Sequence, residues 1–358
     1  MKVIHCADLH LDSKIDSIQS EKAKIRREEI VRTFERLADF STSNGVSAVI
    51  IAGDMFDTSR VTLKTRGRVL SAISKNSNVD FLYLSGNHDD DNFINGEEQL
   101  PQNLKVFGSE WTKFTYGDVV ISGVKLSSKN SDSIYDSLKL DKDKLNIVTL
   151  HGQVVGYKSS EVAETISIPR LKEKNIDYLA LGHIHGYAEG IIDARGKYAY
   201  SGCLDGRGFD ETGDKGFNLI EVNEGKLSYE FIKFSSRTLY EVEYSVEGKD
   251  SWFVLRDEII RDLENKFSSS SLIKVILKGG HSLDFDVDRE GLALRLNESF
   301  FFAKVYDKTE LKYNIEDYLD NKSVLGEFVR CVHESDLDEL MKQRVIMCGI
   351  NAIKGEDF

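Results

Sequence analysis

Through the first half of the chain, short apolar, β-branched runs alternate with amphipathic stretches. The runs are residues 2–7, 47–52, 80–85, 146–150 and 177–181. Each is too short for a helix and rich in Val, Ile, Leu or Tyr, so each predicts a strand. Between the first two, residues 21–44 carry Ile30, Phe34, Leu37 and Ala38 at helical spacing and stop at Asn44-Gly45. Residues 60–76 repeat the pattern with Val69, Leu70 and Ile73. Strand–helix–strand alternation of this kind favours an α/β sheet. After His185 the texture changes. Residues 197–204, 216–222 and 227–234 read as strands joined by Gly-bearing turns, with Asn223-Glu224-Gly225 the clearest, and predict antiparallel pairing. Beyond Ser235-Ser236-Arg237, a strand (239–246), a helix (251–267) and a strand (272–277) begin a small α/β unit, continued by residues 291–297 and 300–305. From about Ile315 the pattern is helical and acidic. The expected organisation is a first domain over 1–235, a second over 238–312 and a helical tail over 313–358.

Composition narrows the classes. Sixty Asp and Glu against 47 Lys and Arg give a net charge of -13, which argues against purely electrostatic adhesion to nucleic acid or anionic lipid. Lys2, His5 and Asp8 crowd the start too closely for a signal peptide. No window supplies about 18 consecutive apolar residues, so no membrane span is expected. Cys6, Cys203, Cys331 and Cys348 are scattered, without a CxxC pair, and read as reduced thiols in a cytoplasmic protein.

The chemistry sits where the five apolar runs end. They terminate in Asp8-Leu9-His10, Gly53-Asp54-Met55-Phe56-Asp57, Gly86-Asn87-His88-Asp89, His151-Gly152 and Gly182-His183-Ile184-His185. Ligands of open α/β sheets bind off the carboxyl ends of strands. Six of the eight histidines lie in or beside these ends, His281 and His333 being the exceptions. Residues i and i+2 of an extended segment point the same way, so Asp8 with His10, and His183 with His185, can each converge. Carboxylate, amide oxygen and imidazole together suit manganese, iron or zinc. Seven such ligands exceed one ion's needs and, with Asp54 bridging, suit two ions about 3.5–4 Å apart. Asp89-Asp90-Asp91 reads as a solvated loop, and Cys6 as core packing.

Asp8-x-His10, Gly53-Asp54-x-x-Asp57, Gly86-Asn87-His88-Asp89, His151 and Gly182-His183-x-His185 together resemble the signature of calcineurin-like metallophosphoesterases. "HCADLHLD", "AGDMFD", "SGNHDD" and "SGCLDGRGFDETGDKGF" are similar, more narrowly, to SbcD-type DNA-repair exonucleases and their YhaO-like relatives, over roughly residues 1–235. The resemblance implies a four-layer αββα sandwich, two mixed sheets between helices, followed by a smaller C-terminal α/β capping domain. It implies that Asp8, His10 and His185 hold one ion, that Asn87, His151 and His183 hold the other, and that Asp54 bridges. It further implies that His88 stabilises or protonates the leaving oxygen and that Asp57 orients His88. The chemistry expected is attack of a metal-activated water on a phosphodiester, with manganese the expected metal.

DNA as substrate rests on the narrower resemblance and on Arg60, Lys64, Arg66, Arg68 and Lys75, a run between Thr58 and Asn76 without acidic residues. As a helix beside the site it either contacts a phosphate backbone or is a solvated face or dimer contact. The resemblance also implies a homodimer near this stretch and an SMC-like coiled-coil ATPase as partner. Val324, Leu325, Phe328, Val332 and Leu337 make the tail either a docking element or a helix packed on its own domain. Two other readings are carried: a phosphodiesterase or phosphatase for a small or protein phosphoester, and a regulatory or scaffold subunit of an ATPase complex.

Overall fold

The computed structural model describes residues 1–354 apart from 16, 19, 58–60, 90–92, 94–99, 156–164, 283–284 and 313–321. It divides into two compact units, residues 1–240 and 241–358. The five strand-forming runs enter two different sheets. The first sheet has the order β14 (Lys226–Lys233), β13 (Gly216–Asn223), β1 (Lys2–Cys6), β2 (Val46–Ala52), β3 (Asp80–Leu84) and β4 (Leu104–Val106). Strands β1 to β4 run parallel, and β13 pairs antiparallel with β1. The second sheet has the order β11 (Ala188–Ile191), β12 (Lys197–Tyr200), β10 (Tyr178–Gly182), β7 (Leu145–His151), β6 (Val119–Gly123) and β5 (Thr112–Tyr116). Its inner strands are parallel, and β11 and β5 close the edges antiparallel. A two-stranded ribbon, β8 (Gln153–Val154) with β9 (Thr165–Ile166), completes the strands of this unit.

The two sheets pack face to face. Val3, Ala48, Ile50, Ala52, Leu82 and Leu84 of the first share one buried cluster with Ile121, Ile147, Tyr178, Ala180 and Ala199 of the second. Parallel strands covered on both faces are apolar almost throughout, which is why these runs lack strict alternation. Helix α1 (Ser20–Ser43) covers the outer face of the first sheet, and its predicted stripe of Ile30, Phe34, Leu37 and Ala38 is wholly buried. Each large member contributes about 1.5–3 kcal/mol by leaving water. Helix α2 (Leu63–Lys75) starts later than the pattern suggested, because Thr62 caps it by accepting from the Thr65 N–H at 3.2 Å. Among the described residues, the outer face of the second sheet carries two single-turn helices, α3 (Ile134–Ser137) and α4 (Ile168–Leu171), over Val148, Leu150, Leu179 and Leu181. The β13–β14 hairpin turns on Glu224 and Gly225, both at positive φ (50° and 74°), as the Asn-Glu-Gly turn predicted.

The loop following β12 is fastened to α1 by a buried ion pair. Arg26, fully buried, donates through Nη2 to Asp205 Oδ1 and to the Gly206 carbonyl, both at 2.7 Å. Thr33 and Ser236 donate to the other oxygen of Asp205 at 2.8 and 2.5 Å.

The second unit holds β15 (Leu239–Ser245), β16 (Leu272–His281) and β17 (Phe302–Leu311) in one sheet, with α5 (Trp252–Lys266) and α6 (Arg289–Ser299). Helix α7 (Val324–His333) packs Leu325, Phe328 and Val332 against α8 (Glu339–Lys354), while Val324 and Leu337 are exposed. Part of the apolar face considered for docking is thus covered within the tail itself, and Ile315 lies outside the described residues. Among the described residues no helix is long and apolar enough to cross a membrane.

Asp205→Ala would leave the Arg26 guanidinium buried without its carboxylate, so it is expected to lower unfolding free energy by about 3–5 kcal/mol in chemical denaturation. A loss below about 1 kcal/mol would show that water reaches Arg26.

Candidate metal centre

The carboxyl ends of β1, β2, β3, β7 and β10 meet at one edge of the sandwich. The approach is closest between Ala52, at the end of β2, and Gly182, at the end of β10. A Cβ on Gly182 would lie 1.8 Å from the Ala52 carbonyl oxygen, so no other residue fits there without moving one sheet. The same carbonyl meets His151 Nδ1 at 2.9 Å. Gly53 follows at φ 94°, and a Cβ on it would fall 2.0 Å from His151 Nδ1. Beyond the strands the loops stay joined: the Asp8 N–H donates to the Gly53 carbonyl at 3.1 Å and the His10 N–H to the Asp54 carbonyl at 3.0 Å. The His183 N–H donates to both oxygens of Asp8, at 2.9 and 3.1 Å.

This arrangement gathers two sets of ligating atoms, Asp8–His10–His185 and Asp54–His151–His183. Asn87 Oδ1 joins the second set, 2.9 Å from His151 Nε2. Asp54 lies between them: its Oδ2 is 3.2 Å from His151 Nε2 and 4.0 Å from His10 Nε2. Asp8, His10, Asp54, His151 and His183 are buried, His185 is half-buried, and Asn87 opens the site to solvent. His88 borders the opening with its ring centroid 5.3 Å from that of His10, and its N–H donates to Asp54 Oδ1 at 3.0 Å. Asp8, His10, Asp54 and His183 all adopt positive φ, at 51°, 42°, 51° and 102°. For residues with a Cβ such conformations cost of order 1–3 kcal/mol each and persist where surrounding structure imposes them.

The charges fit divalent cations. Asp54 Oδ2 is buried yet accepts no well-formed hydrogen bond. His10 and His185 bring their Nε2 atoms within 3.0 Å of each other, while each Nδ1 faces a carboxylate, Asp57 Oδ1 at 3.1 Å and Glu211 Oε1 at 2.8 Å. With the proton on Nδ1 of both rings, two lone pairs oppose each other across this gap unless a positive charge lies between them. The protons compensate where they can. Burial works against charge on His151, but Asp54 and Asp8 outweigh it and lift the ring to about 9. Burial pushes Asp8 up, only partly offset by His151 and His185. Asp54, despite the same burial, is held well below the usual carboxylate range by His151, His10 and the His88 N–H.

Three features depart from the sequence reading. Asp57 lies nearer His10 Nδ1 (3.1 Å) than His88 Nδ1 (3.8 Å), so a direct hydrogen bond orienting His88 is not formed. Asp89 is not solvated: it accepts from the N–H groups of Met55, Phe56 and Gly86 at 3.2, 2.9 and 2.9 Å, tying the loop after β2 to the loop after β3. His5, one of the six histidines near strand ends, points between the sheets, with Nδ1 2.9 Å from the Tyr178 hydroxyl and Nε2 3.2 Å from the Leu181 carbonyl. Burial draws it down to about 3, so it is a neutral core residue. Arg207 and Glu211 went unassigned from sequence. Both lie in the "GRGFDE" stretch, whose only signal was its narrower similarity.

Gly53→Ala would place a methyl group against His151 and impose φ 94° on a residue with a Cβ. We expect a loss of at least about 1–3 kcal/mol in denaturation and reduced metal content by elemental analysis. Unchanged stability and metal content would show that the loop can retreat.

Residues 1–187, just over half of the chain, match the calcineurin-like phosphoesterase family. The chain is 28% identical over 247 residues to the uncharacterized metallophosphoesterase YhaO of Bacillus subtilis, covering 64% of this chain and 59% of that protein. It is 23% identical over 264 residues to the DNA double-strand break repair protein Mre11 of Sulfolobus acidocaldarius, covering 69% and 67%. To the DNA double-strand break repair protein Mre11 of Archaeoglobus fulgidus it is 25% identical over a 395-residue alignment, covering 95% and 83%. A solved dimetal phosphatase from Danio rerio is 10% identical, with a TM-score of 0.42 over 64% of this chain and 95% of that one. With the family match extending from the Asp8-x-His10 loop through the His183–His185 loop, this chain belongs to the calcineurin-like phosphoesterases.

Proposed function

We propose that the chain is a manganese-dependent phosphodiesterase acting on DNA, an exonuclease or a combined exo- and endonuclease, which works in DNA repair with an SMC-like ATPase. The observation that carries the chemistry is the pair of ligand sets sharing buried Asp54. Asp8, His10 and His185 would hold one ion, Asn87, His151 and His183 the other, with Asp54 common to both. Two cations so bound neutralise a phosphodiester and bring a water's pKa towards neutrality. His88, at the open side, is the residue able to pass a proton to the departing oxygen.

The DNA substrate is supported by the relatives named as double-strand break repair proteins. The basic run on α2 does not add to it. Lys64 and Arg68 pair with Glu28 at 2.6 Å, Arg68 also with Glu35 at 2.7 Å, and Lys75 with Asp39 at 3.0 Å. Arg66 donates to the Phe93 carbonyl at 3.3 Å, and Arg60 lies outside the described residues. With these cations engaged and a net charge of -13, a DNA-binding partner is the consistent source of substrate affinity. The same ion pairs favour, as the second reading, a small or protein phosphoester as substrate.

The test is hydrolysis by the metal-reconstituted chain of end-labelled duplex and single-stranded DNA, alongside diester and monoester chromogens. Manganese-dependent loss of DNA ends is expected; cleavage of the small esters with DNA intact would overturn the substrate. Asp54→Ala should lose both metal and activity. His88→Ala should retain wild-type metal content and lose about 10²–10⁴ in turnover. Activity surviving in clean Asp54→Ala preparations would remove the shared-carboxylate assignment.

A further inference from the structure

Behind the Asp8–His10–His185 set lies a chain of charges that the proposed chemistry does not use. Arg207 donates through Nε and Nη2 to Glu211 Oε1 at 2.9 and 2.7 Å, and its backbone N–H donates to Glu211 Oε2 at 2.6 Å. Its Nη1 donates to Asp57 Oδ1 at 3.1 Å. Ser13 holds the other Asp57 oxygen at 2.9 Å. Each carboxylate also faces an imidazole: Glu211 Oε1 is 2.8 Å from His185 Nδ1, and Asp57 Oδ1 is 3.1 Å from His10 Nδ1. One guanidinium therefore joins two carboxylate–histidine pairs whose rings converge at their Nε2 atoms, 3.0 Å apart.

Arg207 Nη2 also approaches His185 Nδ1 at 3.3 Å. Glu211 Oε1, 2.8 Å from the same nitrogen, and the guanidinium donor therefore both bear on His185 Nδ1, so these two residues set the tautomer of the ring. The second set is built differently. There His151 Nδ1 meets a backbone carbonyl, that of Ala52, which orients the ring without adding a formal charge. A carboxylate raises the basicity of the histidine it faces more than a carbonyl does. Two carboxylates this close would repel without a cation between them, and the planar guanidinium fork suits that place where an ammonium does not. Glu211 is almost fully buried, so its orientation is set by these partners and not by water.

We propose that Arg207 and Glu211, with Asp57, form a positioning clasp that fixes the tautomer and ring angles of His185 and His10. The clasp sets the affinity of the Asp8–His10–His185 set for a divalent cation separately from that of the Asp54–His151–His183 set. This rests on the two-cation reading above. The three residues are positioning residues, and their effect is read in metal binding.

The experiment is titration of the full metal-free chain with manganese, followed by calorimetry and by the spin-resonance signal of free ion. Wild type is expected to bind two ions. In Glu211→Gln and Arg207→Lys, one ion should bind as in wild type and the other about 10–100-fold more weakly. Asp57→Asn, which leaves the Arg207–Glu211 contact in place, should weaken the same single ion and serves if the other variants fail to fold. Two ions bound with wild-type affinity in the variants, or both weakened in parallel, would overturn the clasp. Wild type binding fewer than two ions would instead overturn the two-cation reading itself, and that is read from wild type alone.

Discussion

The site depends on the approach of two sheets at their carboxyl ends. Ala52 and Gly182 bring main chain against main chain so closely that a methyl group would not fit between them. The histidines exploit this contact from both sides: His151 bonds to the Ala52 carbonyl of the first sheet, and His5 of the first sheet reaches the Leu181 carbonyl of the second. Elsewhere the sheets are separated by interdigitated side chains, Ala48, Ile50, Leu82, Ile147 and Ala180 among them. That apolar layer sets the spacing of the sandwich. At the edge where it ends, polar side chains from five strands fall into one volume.

Holding those side chains there opposes the preferences of the chain. Four of the seven candidate ligands adopt positive-φ backbone conformations, and two of them, Asp8 and Asp54, are wholly buried carboxylates. Such arrangements persist where a large, well-packed core over-determines them. The loops are further constrained by one another: Asp89 bonds to the loop after β2, the His183 N–H to Asp8, and the His88 N–H to Asp54. Asp8 and Asp54 are thereby held by loops other than their own. Preorganisation of this kind favours groups that must meet a charged species without first reorganising.

The surroundings are less specialised than the centre. Lys64, Arg68 and Lys75 of α2 pair with acids of α1, and the buried Arg26–Asp205 pair joins α1 to the loop that carries Arg207 and Glu211. Electrostatics here serve to fasten elements together. Among the described residues, Asn87 and His88 lie at the opening. The two candidate ligand sets lie within residues 8–185 of one chain.

The sequence by itself determined the local elements and the chemistry at their ends. Runs of Val, Ile and Leu too short for a helix, and a stripe of Ile30, Phe34, Leu37 and Ala38, translate directly into β1, β2, β3, β7, β10 and α1, because strand and helix periods are local properties. The candidate ligands were legible for the same reason, since each follows an apolar run by one to four residues. The edge strands β4, β5 and β11 were not singled out, because half-buried edges carry little apolar signal. Tertiary structure alone decided that the five strands divide between two sheets, that Asp57 serves His10 before His88, and that Asp89 is a tie. It alone brought Arg207 and Glu211 behind His185. Those outcomes turn on distances between residues far apart in sequence, which are set by how the two sheets pack and not by any local pattern.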